Sequence, residues 1–200
     1  MDRNAIALIA ALVSFSGIFP YIRDVLKGKT HPNLVSWATW CLLNLINTAA
    51  ALSTGAFQTA LLSGASALAT GWVTFLSFRR GKIKYTAFDI VCQVLALAGI
   101  VAWGLTGQPQ LAVLIAVSID LVAALPTWRH AWITPFNETW QGFALAAGAA
   151  IVTLFTVTQY TLVSLAFPLL VVTNCSVIVT IVLYRRSVVV RRPTRRHARQ

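Results

Sequence analysis

Seven apolar runs, at about positions 5–26, 34–54, 58–78, 86–106, 110–131, 138–158 and 161–184, occupy nearly the whole chain. Each has roughly the 20 residues that a helix needs to cross a hydrocarbon core of about 30 Å. Inside a bilayer every backbone N–H and C=O must find its partner within the protein, so only helices and closed barrels can span it. A barrel needs short strands of alternating polarity, whereas these runs are apolar at both parities and broken only by short turns. The expectation is an all-α membrane protein with seven transmembrane helices. Composition agrees: 58% of the 200 residues are hydrophobic, 10% are charged and the mean hydropathy is +0.74, values outside the range of soluble domains.

A weaker signal organises the runs. Pro20-Tyr21-Ile22-Arg23, followed by Pro32-Asn33-Leu34-Val35-Ser36-Trp37 and Trp40, is echoed by Pro126-Thr127-Trp128-Arg129, then Pro135-Phe136-Asn137-Glu138-Thr139-Trp140 and Phe143. The offset is 106 residues at the first proline and 103 at the second, which reads as an internal duplication with one small deletion. It pairs runs one, two and three with runs five, six and seven and leaves the fourth alone. A signal peptide would have no such copy in mid-chain, so the Ala-rich start of the first run reads as a membrane helix. Four crossings separate the first and fifth runs, so the copies are expected to run in parallel about an axis along the membrane normal. The expected units are 1–84, a linker helix over 85–107, a second unit over 108–186 and a basic, disordered tail over 187–200.

The net charge of +11 acquires meaning only when placed against the runs. Arg23, Lys27 and Lys29 follow the first; Arg79, Arg80, Lys82 and Lys84 the third; Arg129 the fifth; seven arginines from Arg185 onward the seventh. Fifteen of the 16 basic residues thus fall on one side, and only Arg3 does not. The positive-inside rule then sets the N-terminus outside and the C-terminus in the cytoplasm, as expected of a multi-pass protein of the plasma or inner membrane. The basic face suits anionic lipid headgroups; nucleic acid is not an expected partner, because no aromatic platform accompanies the arginines.

This layout, with the proline at the end of the first helix and a short basic loop into a Trp-bearing second helix, resembles the SWEET, SemiSWEET and PQ-loop superfamily in its two-repeat form. The eponymous Pro-Gln pair is degenerate, being Pro20-Tyr21 in one copy and Pro126-Thr127 in the other. The resemblance implies alternating access, with Pro20 and Pro126 at hinge positions and Asn174 in a substrate pocket. It also extends to a sorting receptor, so a non-transporting receptor or scaffold on the same fold is the alternative.

Polar side chains at mid-depth are expensive and therefore informative. Trp37, Trp40, Asn44 and Asn47 form one stripe of the second run at steps of three, four and three; aromatic faces with carboxamides suit a small polar solute, sugar or amino-acid-like. Thr173 and Asn174 lie near the middle of the seventh run. Asp120 is the most conspicuous, since an ionised carboxyl at a helix centre costs about 2.5–3.5 kcal/mol on insertion scales and no lysine or arginine lies at its depth. It reads as a proton-coupling site, a ligand for a cationic or hydroxyl-bearing solute, or a structural acid bonded to Asn44 or Asn174. The copies differ at these points: Ser14 stands opposite Asp120, Ala147 opposite Asn44 and Gly71 opposite Asn174. Lacking a second deep carboxylate, a Ser-His pair or a zinc constellation, the chain is not expected to be an enzyme or to hold a metal or cofactor. Cys41, Cys92 and Cys175 read as small buried residues. A homo-oligomer is compatible with the sequence.

Overall fold

In the computed structural model, which describes residues 2–30, 32, 34–79 and 87–191, the chain is all-helical, with no strand among the described residues. The helices are α1 (Arg3–Ser16), α2 (Ile18–Leu26), α3 (Leu34–Ser53), α4 (Phe57–Arg79), α5 (Ala87–Thr106), α6 (Pro109–Ile133), α7 (Trp140–Thr156) and α8 (Leu162–Arg191), with a 3-10 turn over Pro135–Asn137 before α7. Among the described residues, four stretches are long and apolar enough to cross a membrane: Arg3–Leu26, Phe57–Arg79, Pro109–Ile133 and Leu162–Val189.

The first apolar run is two helices rather than one. Pro20 has no N–H to offer the Ser16 carbonyl one turn back, and the helix breaks between them at Gly17. Position 126, by contrast, lies inside the continuous α6, and Pro168 lies inside α8. The turn from α5 to α6 passes through Gly107 at φ 62° and then Pro109 at the first turn of α6. A left-handed glycine followed by a residue preset for a helix start is the local chemistry such a turn requires.

The seventh helix extends beyond its expected end, so residues 187–191, expected to belong to a disordered tail, are helical. Two arginines anchor it: Arg185 Nε donates to the Trp132 carbonyl at 2.9 Å and Arg186 Nη2 to the Glu138 carbonyl at 2.7 Å. Arg80, Lys82 and Lys84, His31 and the arginines beyond 191 lie outside the described residues.

Helix neighbours come in matched pairs. Helices α3 and α1 both pack on α4, and α7 and α6 both pack on α8; across the middle, α1 lies against α7 and α3 against α6, while α5 covers α6 and α3. Helix α7 comes closest to the first segment at Gly142, where an added Cβ would lie 2.7 Å from the Gly17 carbonyl oxygen. Only a residue without a side chain fits there. The outward faces are apolar, with Phe19, Leu68, Phe78, Leu105 and Phe155 between 60% and 83% exposed. Burying side chains of this size is worth about 1.5–3 kcal/mol each, so the surface suits hydrocarbon.

Candidate functional site

A cavity of about 120 Å³ lies between the two sets of helices, comparable to the roughly 150 Å³ known to admit one benzene-sized ligand. The N-terminal segment lends it Ser14, Gly17, Ile18 and Tyr21; α3 lends Trp37, Trp40 and Asn44; α4 lends Ser66 and Thr70; α6 lends Asp120; α7 lends Gly142 and Phe143; α8 lends Phe167, Asn174 and Cys175. Its wall thus draws on both sets of helices, and among the described residues no lysine, arginine or histidine lines it.

The aromatic residues occupy one end. Tyr21 and Trp37 ring centroids are 4.7 Å apart, Trp37 and Trp40 5.5 Å, and Tyr21 and Phe143 6.3 Å, the last two pairs edge to face. Tyr21, Trp37 and Trp40 are all at least nine-tenths buried. Edge-to-face packing of this kind fixes ring orientation as well as filling space. At the other end Phe167 and Leu170 pack with Ala10, Leu62, Ala149 and Ala150.

Polar groups stand between. Asp120 is 6% exposed and has no cation among the lining residues. Trp40 lies against it, yet the Trp40 indole N–H, itself buried, makes no hydrogen bond of ordinary geometry. Asn44 Nδ2 reaches Thr70 Oγ1 at 3.5 Å, a long bond that leaves most of the carboxamide's capacity unused. Asn174 Oδ1 accepts from Trp128 Nε1 at 2.8 Å, which points the amide of α8 and leaves its NH₂ to the cavity. An indole donor without a bond of ordinary geometry, a carboxyl and two under-used carboxamides can together hold a solute that brings its own hydrogen-bonding groups.

Of the residues singled out from sequence, Trp37, Trp40, Asn44, Asp120 and Asn174 meet in this cavity. Asn47 and Thr173 do not. Asn47 is buried but turns back to the Leu43 carbonyl at 3.0 Å. Thr173 is exposed on the outer side of α8 and donates to the Leu169 carbonyl at 2.8 Å. Of the three readings of Asp120, the structural acid bonded to Asn44 or Asn174 is not what the structure has; those amides reach Thr70 and Trp128 instead. Pro20 sits in the first turn of α2 below the break at Gly17, and the Pro126 side chain lies outside what is described.

Several lining residues were not picked out as site residues. Ser14 stands opposite Asp120 in the repeat, and both line the same cavity. For α4 the match is off by one: Gly71 points toward Cys41, whose Sγ a Cβ added at 71 would meet at 3.4 Å, and Thr70 is the residue that lines the cavity as Asn174 does. A one-residue gap between Pro32 and Asn174 would have recovered this match. Cys175 also lines the wall, a thiol with no disulfide partner. Among the described residues no group of His, Cys, Asp and Glu could hold a metal ion.

Comparisons with protein-family models, with curated proteins and with solved structures find no match to this chain.

Proposed function

We propose that this chain is an alternating-access transporter for a small polar solute, with a SWEET- or PQ-loop-like arrangement of two parallel three-helix units around a linker helix. In this reading the chain crosses the membrane seven times, its N-terminus is outside, its basic loops face the cytoplasm, and it resides in the plasma or inner membrane. The carrying observation is the cavity on the seam between the two sets of helices, where Asp120, Asn44 and Asn174 meet the faces of Trp37 and Trp40.

The paired helix contacts support the two-unit reading, since each packing in the first set has its counterpart in the second. A site walled by both units changes its exposure when the units rock against each other. The break at Gly17, three residues from Ser14 and itself part of the wall, gives the first unit a point of interrupted helix at the site. Asp120 supplies the coupling chemistry: an ionised carboxyl there has no cation among the described lining residues to offset it, so a proton or a positively charged group on the solute would do so. Trp37 and Trp40 offer stacking faces, and Asn44, Asn174 and the Trp40 N–H offer the hydrogen bonds that orient the solute.

The test is uptake into proteoliposomes by wild type and Asp120→Asn over a panel of sugars and amino acids, with and without a pH gradient. Saturable uptake by wild type is expected, with its pH dependence lost in Asp120→Asn. Failure of wild type to move any member of the panel would favour a receptor, and an unchanged pH response in Asp120→Asn would remove this carboxyl from proton coupling.

A further inference from the structure

A second polar cluster lies at the basic-loop end of the same seam, beyond the aromatic residues. Thr30, in the loop after α2, and Thr139, at the start of α7, have their hydroxyls 3.0 Å apart. Thr139 donates to Asp24 Oδ2 at 3.0 Å, so the shared bond must run from Thr30 to Thr139. Arg186 of α8 donates to the Pro135 and Glu138 carbonyls at 3.0 and 2.7 Å and lies over the Phe136 ring. These bonds tie α2 of the first set of helices to the α6–α7 connection and α8 of the second.

Glu138 stands at the centre, 7% exposed. Its Oε2 has no hydrogen-bond partner, and its Oε1 lies 3.9 Å from His130 Nε2. Arg186 spends its near hydrogen bonds on backbone carbonyls rather than on this carboxylate. Tyr21 joins the cluster to the cavity, since its ring lines the cavity wall while the side chain also feels the Glu138 charge. A buried carboxylate with one oxygen left unpartnered is unfavourable, and a proton on that oxygen reduces the penalty.

We propose that Glu138 is a proton-binding residue that latches the two sets of helices together at the basic-loop end of the cavity, holding the seam when protonated and loosening it when ionised. Burial pushes the Glu138 carboxyl from its ordinary 4.5 up to about 7, against the pull of the Arg186 guanidinium. Opening returns the group to water and to its ordinary value. Between the two values the closed seam binds more protons than the open one, so closure weakens as pH rises through that window and changes little above it. Among the described residues, the other titratable or charged groups at Glu138 are Tyr21 from α2, His130 from α6 and Arg186 from α8, and Arg186 also feels the Asp24 carboxylate of α2. The latch goes beyond the transport reading and holds whether the cavity moves a solute or only binds one.

Spin labels at Lys27→Cys and Asn137→Cys, both exposed, would straddle the seam in a full-length chain otherwise free of cysteine and held in lipid nanodiscs. Pulsed electron resonance is expected to give a short, narrow distance at about pH 5 that yields to a longer one by about pH 8. Glu138→Gln, which mimics the protonated acid, is expected to hold the short distance throughout. His130→Gln and His31→Gln are expected to keep the wild-type response. A distribution that does not change with pH in wild type overturns the latch, as does a Glu138→Gln chain that responds like wild type. Should Glu138→Gln not reconstitute, the histidine variants decide: a response lost with either assigns the proton to that imidazole instead.

Discussion

The Trp40 indole N–H sits buried beside Asp120 without a hydrogen bond of ordinary geometry. An unmade bond of this kind costs about 1–3 kcal/mol, so the donor gains when a solute supplies an acceptor. Trp40→Phe keeps an aromatic face and removes the donor. Its thermal unfolding midpoint should stay within a few degrees of wild type while solute affinity, read by isothermal titration, falls about 5- to 10-fold. Trp128→Phe should do the reverse, because it strands the Asn174 carbonyl that Trp128 now satisfies, with a stability loss of about 1–3 kcal/mol in thermal unfolding. Asp120, Asn44 and Asn174 were legible in the sequence because a polar group at mid-depth needs a reason to be there. Asn47 and Thr173 obeyed the same pattern, yet each satisfies itself on its own helix, an option open to short polar side chains that spacing does not reveal. Glu138 stood out in the sequence only as a member of the echoed motif, since its burial arises only when the connections of distant segments pack together.

At the scale of the helices, Gly17 and Gly142 set how closely the N-terminal segment and α7 approach. A methyl at 142 would lie 2.7 Å from backbone oxygen, whereas one at Gly64 would meet only the Thr48 side chain at 3.7 Å or more. Gly142→Ala should therefore lower the unfolding midpoint by an amount equivalent to about 1–3 kcal/mol, the usual cost of overpacking. Gly64→Ala should be neutral or slightly stabilising, which makes the pair an internal control. Pro20→Ala returns an N–H to face the Ser16 carbonyl and should join α1 to α2. If the break serves as a hinge, that variant is more thermostable and transports more slowly; equal transport would show that the proline only marks a helix boundary. Helix positions were readable from the apolar runs, because hydrocarbon length sets helix length. The break at Gly17 and the extra turns of α8 were not, since one depends on a single missing N–H and the other on arginines reaching carbonyls some 50 positions away in the chain.

For the molecule as a whole, duplication and hydrophobicity act together: one supplies two similar walls and the other an outer surface suited to lipid. The positions that echo each other in the sequence differ in chemistry, with Asp120 and Ser14 lining one cavity. Such a site distinguishes a transporter from a receptor by which side of the membrane can reach it. Ser66 lines the cavity, so Ser66→Cys in a chain otherwise free of cysteine reports that access when reconstituted vesicles are exposed to a membrane-impermeant maleimide from one side at a time. Alternating access predicts labelling from both sides, slowed from each by a transported solute. Labelling from one side only, under every condition, would contradict it and leave a receptor pocket in its place.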